Sequence, residues 1–255
     1  MKKSVVMIGL GEMGGVISRG LLRHGTPVYP ANRDADLAVV ADVIPDPEAV
    51  VVAVGEAELP SVLAQLPTPW RDRLVLLQNE LLPRDWQAHE LSGVTVISVW
   101  FEKKPGQDFK VIIPSPVFGP KAGLIHDALG SLGIPVKVLE SSEQLLFELV
   151  LKNLYILTTN IAGLAVGGDV GSLWREHESL AREVATEVLA IQASLTGQTL
   201  DRERLIDAMR VAFEGDPSHK CMGRSAPLRL ERALQQADAA GIQAARLRDI
   251  QRRYV

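Results

Sequence analysis

The chain has 255 residues, with 27 Lys and Arg against 31 Asp and Glu and a net charge of −4. That balance carries no electrostatic footprint for nucleic acid, and the length allows one large core or two modest ones. Cys221 is the single cysteine, which excludes an intrachain disulfide and fits a reducing, cytoplasmic compartment.

Lys2 and Lys3 precede the apolar run Val5-Val6-Met7-Ile8, which is too short for a secretory leader and passes straight into a glycine-rich turn, so it reads as a first strand. The turn is Gly9-Leu10-Gly11-Glu12-Met13-Gly14, a G-x-G-x-x-G pattern. Gly9 suits a tight strand-to-helix turn, Gly11 lets backbone amides approach a pyrophosphate, and Gly14 lets the helix lie close on the strand. The helix then points its unpaired N–H groups at the anion. These six residues are the candidate dinucleotide turn. Val16, Ile17, Gly20 and Leu21 share one helical face, His24-Gly25 supplies a stop, and residues 27–31 read as a second strand, completing a βαβ start.

The end of the second strand selects the dinucleotide. NAD sites place a carboxylate there to accept from the ribose hydroxyls, whereas NADP sites favour arginine beside the 2′-phosphate. This chain has Asn32-Arg33, which favours NADP(H): Arg33 makes a forked, charge-assisted contact with a phosphate and Asn32 donates without repelling it. Asp34 keeps NAD open, and Arg33 also reads as an ordinary solvated loop charge.

Residues 49–54 form a continuous β-rich run, as expected of a strand covered on both faces. A short helix at 60–66, a strand at 73–77 and a helix at 82–91 follow. Strands at 94–100 and 109–113 flank a polar 103–108 segment and predict a hairpin at the sheet edge. A loop at 114–120, a helix at 121–132 and a strand at 134–139 complete an α/β, doubly wound, Rossmann-type domain over residues 1–140. From Ser142 the pattern is helical to the end, with helices at 143–165, 173–195, 201–214, 227–240 and 244–254, giving an all-helical domain over 141–255. His177 falls on an apolar stripe and reads as a core histidine. Arg246, Arg248, Arg252 and Arg253 read as a solvated helix face.

Leu145, Leu146, Leu149, Val150, Leu151, Leu154, Ile156 and Leu157 cover most of the first helix of this half. Glu148, Lys152, Asn153 and Asn160 within it are costly in lipid, so it is a buried helix and no membrane partner is expected. Lys152 sits at its middle. A buried ammonium has a lowered proton affinity, which suits it to protonate a developing alkoxide. The alternative is a Glu148–Lys152 i,i+4 pair, worth about 0.5 kcal/mol or less if exposed. No His/Cys/Asp/Glu cluster has metal-ligand spacing, and no G-x-S-x-G elbow occurs.

The glycine turn, Leu77-Gln78-Asn79 at a strand end, and Lys152 with Asn160 eight residues later together resemble the ketopantoate reductase family, within the wider group of 6-phosphogluconate and β-hydroxyacid dehydrogenases. The resemblance implies that Lys152 is the general acid, that Asn79 lies near the nicotinamide and substrate, and that Asn160 helps bind the substrate. It also implies hydride transfer from NADPH to a small 2-oxo acid, and dimerisation through the helical half. Ser218, in a Ser218-His219-Lys220 loop, lies roughly where the family binds a substrate carboxylate; an exposed polar loop is the competing reading. The chain departs from the family at Glu80, where a glycine follows L-Q-N, and at Ile156, where an asparagine lies four residues after the lysine. It departs again at Arg224-Ser225-Ala226-Pro227-Leu228, which lacks the family's late glutamate for substrate hydroxyls. Such losses change substrate choice. An imine reductase or β-hydroxyacid dehydrogenase is the enzymatic alternative, and a non-catalytic NADP(H)-binding sensor the other.

Overall fold

The computed structural model describes residues 2–255; Met1, read above as preceding the first strand, lies outside them. The chain divides into two compact units, one ending at Leu149 and the other running Val150–Val255.

The first unit comprises β1 (Val5–Ile8), α1 (Glu12–Arg23), β2 (Val28–Ala31), α2 (Leu37–Val43), β3 (Ala49–Val52), α3 (Leu59–Ala64), a 3₁₀ turn at Thr68–Trp70 and β4 (Leu74–Leu76). It continues with α4 (Pro83–Gln87), β5 (Thr95–Ile97), β6 (Phe101–Glu102), β7 (Lys110–Val111), β8 (Ser115–Phe118), α5 (Ala122–Gly130) and β9 (Val136–Val138). Seven strands form one sheet in the order β2-β1-β3-β4-β5-β8-β9. The first five are parallel, and β8 joins β5 antiparallel. Every residue of β1, β3, β4 and β5 is buried, as expected of strands with helices on both faces. Val16, Ile17 and Leu21 of α1 and Ile125, Ala128 and Leu129 of α5 close one face over Val5, Met7, Val51 and Val75.

The structure corrects the sequence in three places within this unit. The expected sheet-edge hairpin is a separate two-stranded ribbon of β6 and β7, because the 94–100 run leaves the main sheet after Ile97. The expected 114–120 loop is instead β8, a buried sheet strand. Its prolines argued against a strand, yet the Pro116 carbonyl accepts from the Ser98 amide at 2.9 Å, a contact that does not need the missing N–H. The unpredicted α2 starts where the Asp36 side chain accepts from the Ala38 amide at 2.9 Å, an N-cap overlooked in the sequence.

The helix α6 (Ser142–Val166) carries the chain into the second unit, followed by α7 (Val170–Glu176), α8 (Glu178–Thr196), α9 (Arg202–Gly215), α10 (Ala226–Ala239) and α11 (Ala245–Tyr254). It is long and apolar enough to cross a membrane, but most of it is buried in the protein. Ala181, Val184, Ala185, Val188, Leu189 and Ile191 give α8 its buried face, and a buried Asn153–Gln192 amide contact of 3.0 Å joins it to α6. The expected 173–195 helix is broken at His177 (φ −134°, ψ 32°), and that side chain is exposed rather than in the core. The C-terminal arginines are solvated and paired: Arg246 with Glu183, Arg248 with Asp238, and Arg252 and Arg253 with Asp249.

Trp70 is fully buried, and its Nε1 donates to the Ile44 carbonyl at 3.0 Å. Trp70→Phe removes the donor, leaves that carbonyl unpaired and opens a small void. Chemical denaturation should show a loss of about 2–3 kcal/mol with an unchanged m-value.

Candidate active site

Parallel β1 and β3 lie side by side, while the chain from β1 crosses first to β2 on its other flank. That is the switch point of an open α/β sheet, where a crevice forms beyond the carboxyl ends of the strands. The glycine turn occupies it. Gly9 has φ +90°, and a Cβ there would stand 2.8 Å from the Ala53 carbonyl oxygen. A Cβ on Gly14 would fall 2.1 Å from the Gly9 carbonyl oxygen, whereas one on Gly11 would meet nothing within 4 Å. Two glycines therefore make the turn possible, and the third leaves its face open at the N-terminus of α1. This cradle fits a pyrophosphate.

A cleft of about 490 Å³ runs from the turn past Asn32 and Arg33 to Gly55, Glu58 and Gln65. Its size and its strand-end lining suit the adenosine half of a dinucleotide. The Arg33 side chain is 82% exposed and reaches across to Glu58 at 2.8 Å. The other Glu58 oxygen accepts from the Gly55 amide at 3.2 Å. Glu58 thus holds Arg33 ready over the cleft and at the same time competes with any phosphate for it. At the turn, Glu12 would place a carboxylate beside a bound pyrophosphate, but Lys103 pairs with it at 2.7 Å and offsets its charge.

Leu77-Gln78-Asn79 lies at the carboxyl end of β4. The buried Gln78 donates to the Val52 and Val54 carbonyls at 2.7 and 3.2 Å, and its Oε1 accepts from the Leu77 amide at 3.1 Å. It stitches the ends of β3 and β4 together and so sets the backbone from which Asn79 projects. Asn79 Nδ2 donates to Glu56 at 3.1 Å. Glu80, at the position of the resemblance's glycine, adopts φ +59°, a left-handed conformation unfavourable to a non-glycine residue.

In the second unit, α6 presents Lys152, Tyr155 and Asn160. Lys152 is half-buried. Loss of solvation, then repulsion by Arg229, lowers its proton affinity from 10.5 to about 7. Its Nζ lies 5.9 Å from the Tyr155 ring centroid, a contact that favours the charged form and moderates the shift. The buried Asn160 accepts from Arg229 Nη1 at 3.0 Å and donates to the Cys221 carbonyl at 3.3 Å. Ser218 is exposed and donates to the buried Asp216 carboxylate at 2.7 Å. His219 lies 3.9 Å from the other Asp216 oxygen, and its ring is 6.2 Å from that of Tyr155. The unit thus assembles Lys152, Tyr155, Asn160, Arg229 and the 216–219 loop, with Ser218 turned toward Asp216. Cys221 is buried and its thiol is pushed up to about 11, which leaves it a poor nucleophile.

The sequence left Glu58, Lys103 and Arg229 outside the site. Glu58 was within reach, because it follows the third strand at the edge where such sheets bind ligands. Lys103 and Arg229 come from distant parts of the chain and carried no local signal.

A parallel sheet with a glycine-cradled switch point, followed by a helical unit, defines a Rossmann-type chain with an appended α-domain. Its fold is that of the ketopantoate reductases. Superposition on 2-dehydropantoate 2-reductase from Methylococcus capsulatus gives a TM-score of 0.71 at 14% identity, over 97% of this chain and 94% of that one. The ketopantoate reductase of Staphylococcus aureus, described as dimeric, gives 0.67 at 15% identity over 97% and 96%. D-mandelate dehydrogenase in complex with NADH gives 0.70 at 12% identity over 98% and 96%. No family model matches the sequence, and no curated protein does. At these identities the likeness is one of fold.

Two outcomes follow from the first unit. Glu58→Gln releases Arg33 and removes a like charge from the cleft, so NADPH binding measured by fluorescence should tighten about 3- to 10-fold, with NADH much less affected. Glu80→Gly relieves the left-handed strain but adds freedom to the unfolded chain, so thermal unfolding should show a net change of about +1 kcal/mol or less.

Proposed function

We propose that this protein is an NADPH-dependent reductase of a small 2-oxo acid. The observation that carries the reading is Lys152, an ammonium held half-buried with a proton affinity near 7. A group poised near neutrality is a suitable general acid toward a carbonyl oxygen on its way to alkoxide. A Rossmann cradle in the same chain supports it. So do the neighbours, among them reductases of 2-dehydropantoate and a D-mandelate dehydrogenase also seen in a ternary complex with NADH and anilino(oxo)acetate.

Bound NADPH would supply the hydride for the carbonyl carbon. The Gly9–Gly14 turn and the N-terminus of α1 would hold its pyrophosphate, Arg33 and Asn32 its 2′-phosphate, and Asn79 would lie toward its nicotinamide. Lys152 aligns the substrate oxygen and gives it a proton as negative charge develops, then recovers that proton from solvent. Asn160 and the 216–219 loop hold the substrate side of the patch. NADH has one observation in its favour, the hold of Glu58 on Arg33. The same reading makes the protein a cytoplasmic homodimer.

Titration with NADPH and NADH, then NADPH oxidation against a panel of 2-oxo acids, tests the proposal. Lys152→Ala should lower kcat by about 10²- to 10⁴-fold with nucleotide binding intact. In the wild type, reduction should fall as the pH rises through about 7, because the acid form of Lys152 is lost. Stability responds in the opposite sense. Between the folded value near 7 and the unfolded value near 10.5 the unfolded chain binds more protons, so the contribution of Lys152 to stability rises with pH across that window. Lys152→Met should abolish that rise and increase stability at neutral pH. Turnover indifferent to Lys152 would overturn the proposal.

A further inference from the structure

The late helix of the second unit brings a cation to the lysine patch. Arg229 projects from α10 and is fixed by its 3.0 Å bond to Asn160, whose amide is buried and tied on its other side to the Cys221 carbonyl. Asn160 lies two turns beyond Lys152 on α6, and Arg229 stands close enough to oppose the protonation of Lys152. Two cations held together on a half-buried surface repel each other and lose hydration, so the arrangement disfavours cationic ligands and favours anionic ones. A guanidinium also matches a carboxylate in shape, with a planar fork of N–H donors.

We propose that Arg229 is the substrate-binding residue that reads the carboxylate of the 2-oxo acid, with Asn160 as the positioning residue that orients its guanidinium. The inference rests on the reductase reading and narrows it. Recognition by charge replaces recognition of a hydroxyl, so the substrate class is the 2-oxo carboxylate, and the matching neutral 2-oxo amides and cationic iminium compounds are excluded. Lys152 takes the carbonyl oxygen and Arg229 the adjacent carboxylate, two acceptors separated by a single carbon–carbon bond.

The test compares 2-oxo acids with the corresponding amides on wild type, Arg229→Gln and Arg229→Lys, and measures binding of oxamate to the enzyme–NADPH complex by fluorescence. Loss of a charged hydrogen-bonding partner should raise KM for the acids on the order of 30-fold or more and weaken oxamate equally, with the amides unmoved. Arg229→Lys should recover part of the loss. In ¹³C-methylated protein, with the Lys152 resonance assigned from Lys152→Ala, Arg229→Gln should move the Lys152 titration to higher pH, a readout that needs no substrate. An unchanged acid-to-amide preference in Arg229→Gln would overturn the assignment while leaving the reductase intact. Failure of wild type either to reduce or to bind any 2-oxo acid would overturn the reductase reading and the assignment with it.

Discussion

The contact between Gly14 and the Gly9 carbonyl is the constraint from which the first unit is built. With 2.1 Å between that oxygen and a would-be Cβ, no other residue lets α1 start so near the end of β1. The approach aims the open amides of α1 into the crevice beside β3, and the buried residues of α1 then close over the sheet. Packing and ligand geometry therefore share one cause. A side chain at Gly14 would disturb the core and the anion site together.

The second unit depends on a different balance. Desolvation and a neighbouring guanidinium both disfavour the charged state of Lys152, while the Tyr155 ring favours it. Removing solvent costs more than an aromatic face returns, so the net shift is downward. Such a residue lowers the stability of the fold at neutral pH, a cost commonly associated with function.

Legibility in the sequence followed the range of the interactions. Strands such as Val5–Ile8 and Ala49–Val52 announce themselves as continuous apolar runs, and the glycine turn is a local motif. The 115–118 strand did not, because its prolines signal a loop unless the neighbouring strands that use their carbonyls are known. The break at His177 was hidden because the apolar period continues through it. In the candidate site, Lys152 and Asn160 share a helix and could be read together. The pairing of Arg33 with Glu58 spans 25 residues and that of Asn160 with Arg229 spans 69, distances at which sequence periodicity carries no information.

The buried Cys221 has a consequence for handling the molecule. Its thiolate is strongly disfavoured and its side chain packs against Gly163, so thiol reagents find little to react with in the native state. A cysteine installed at an exposed position would be the sole addressable thiol on the surface. Spectroscopic labels can therefore be attached at chosen positions without first deleting a native residue, and modification of Cys221 itself becomes a reporter of unfolding in the second unit.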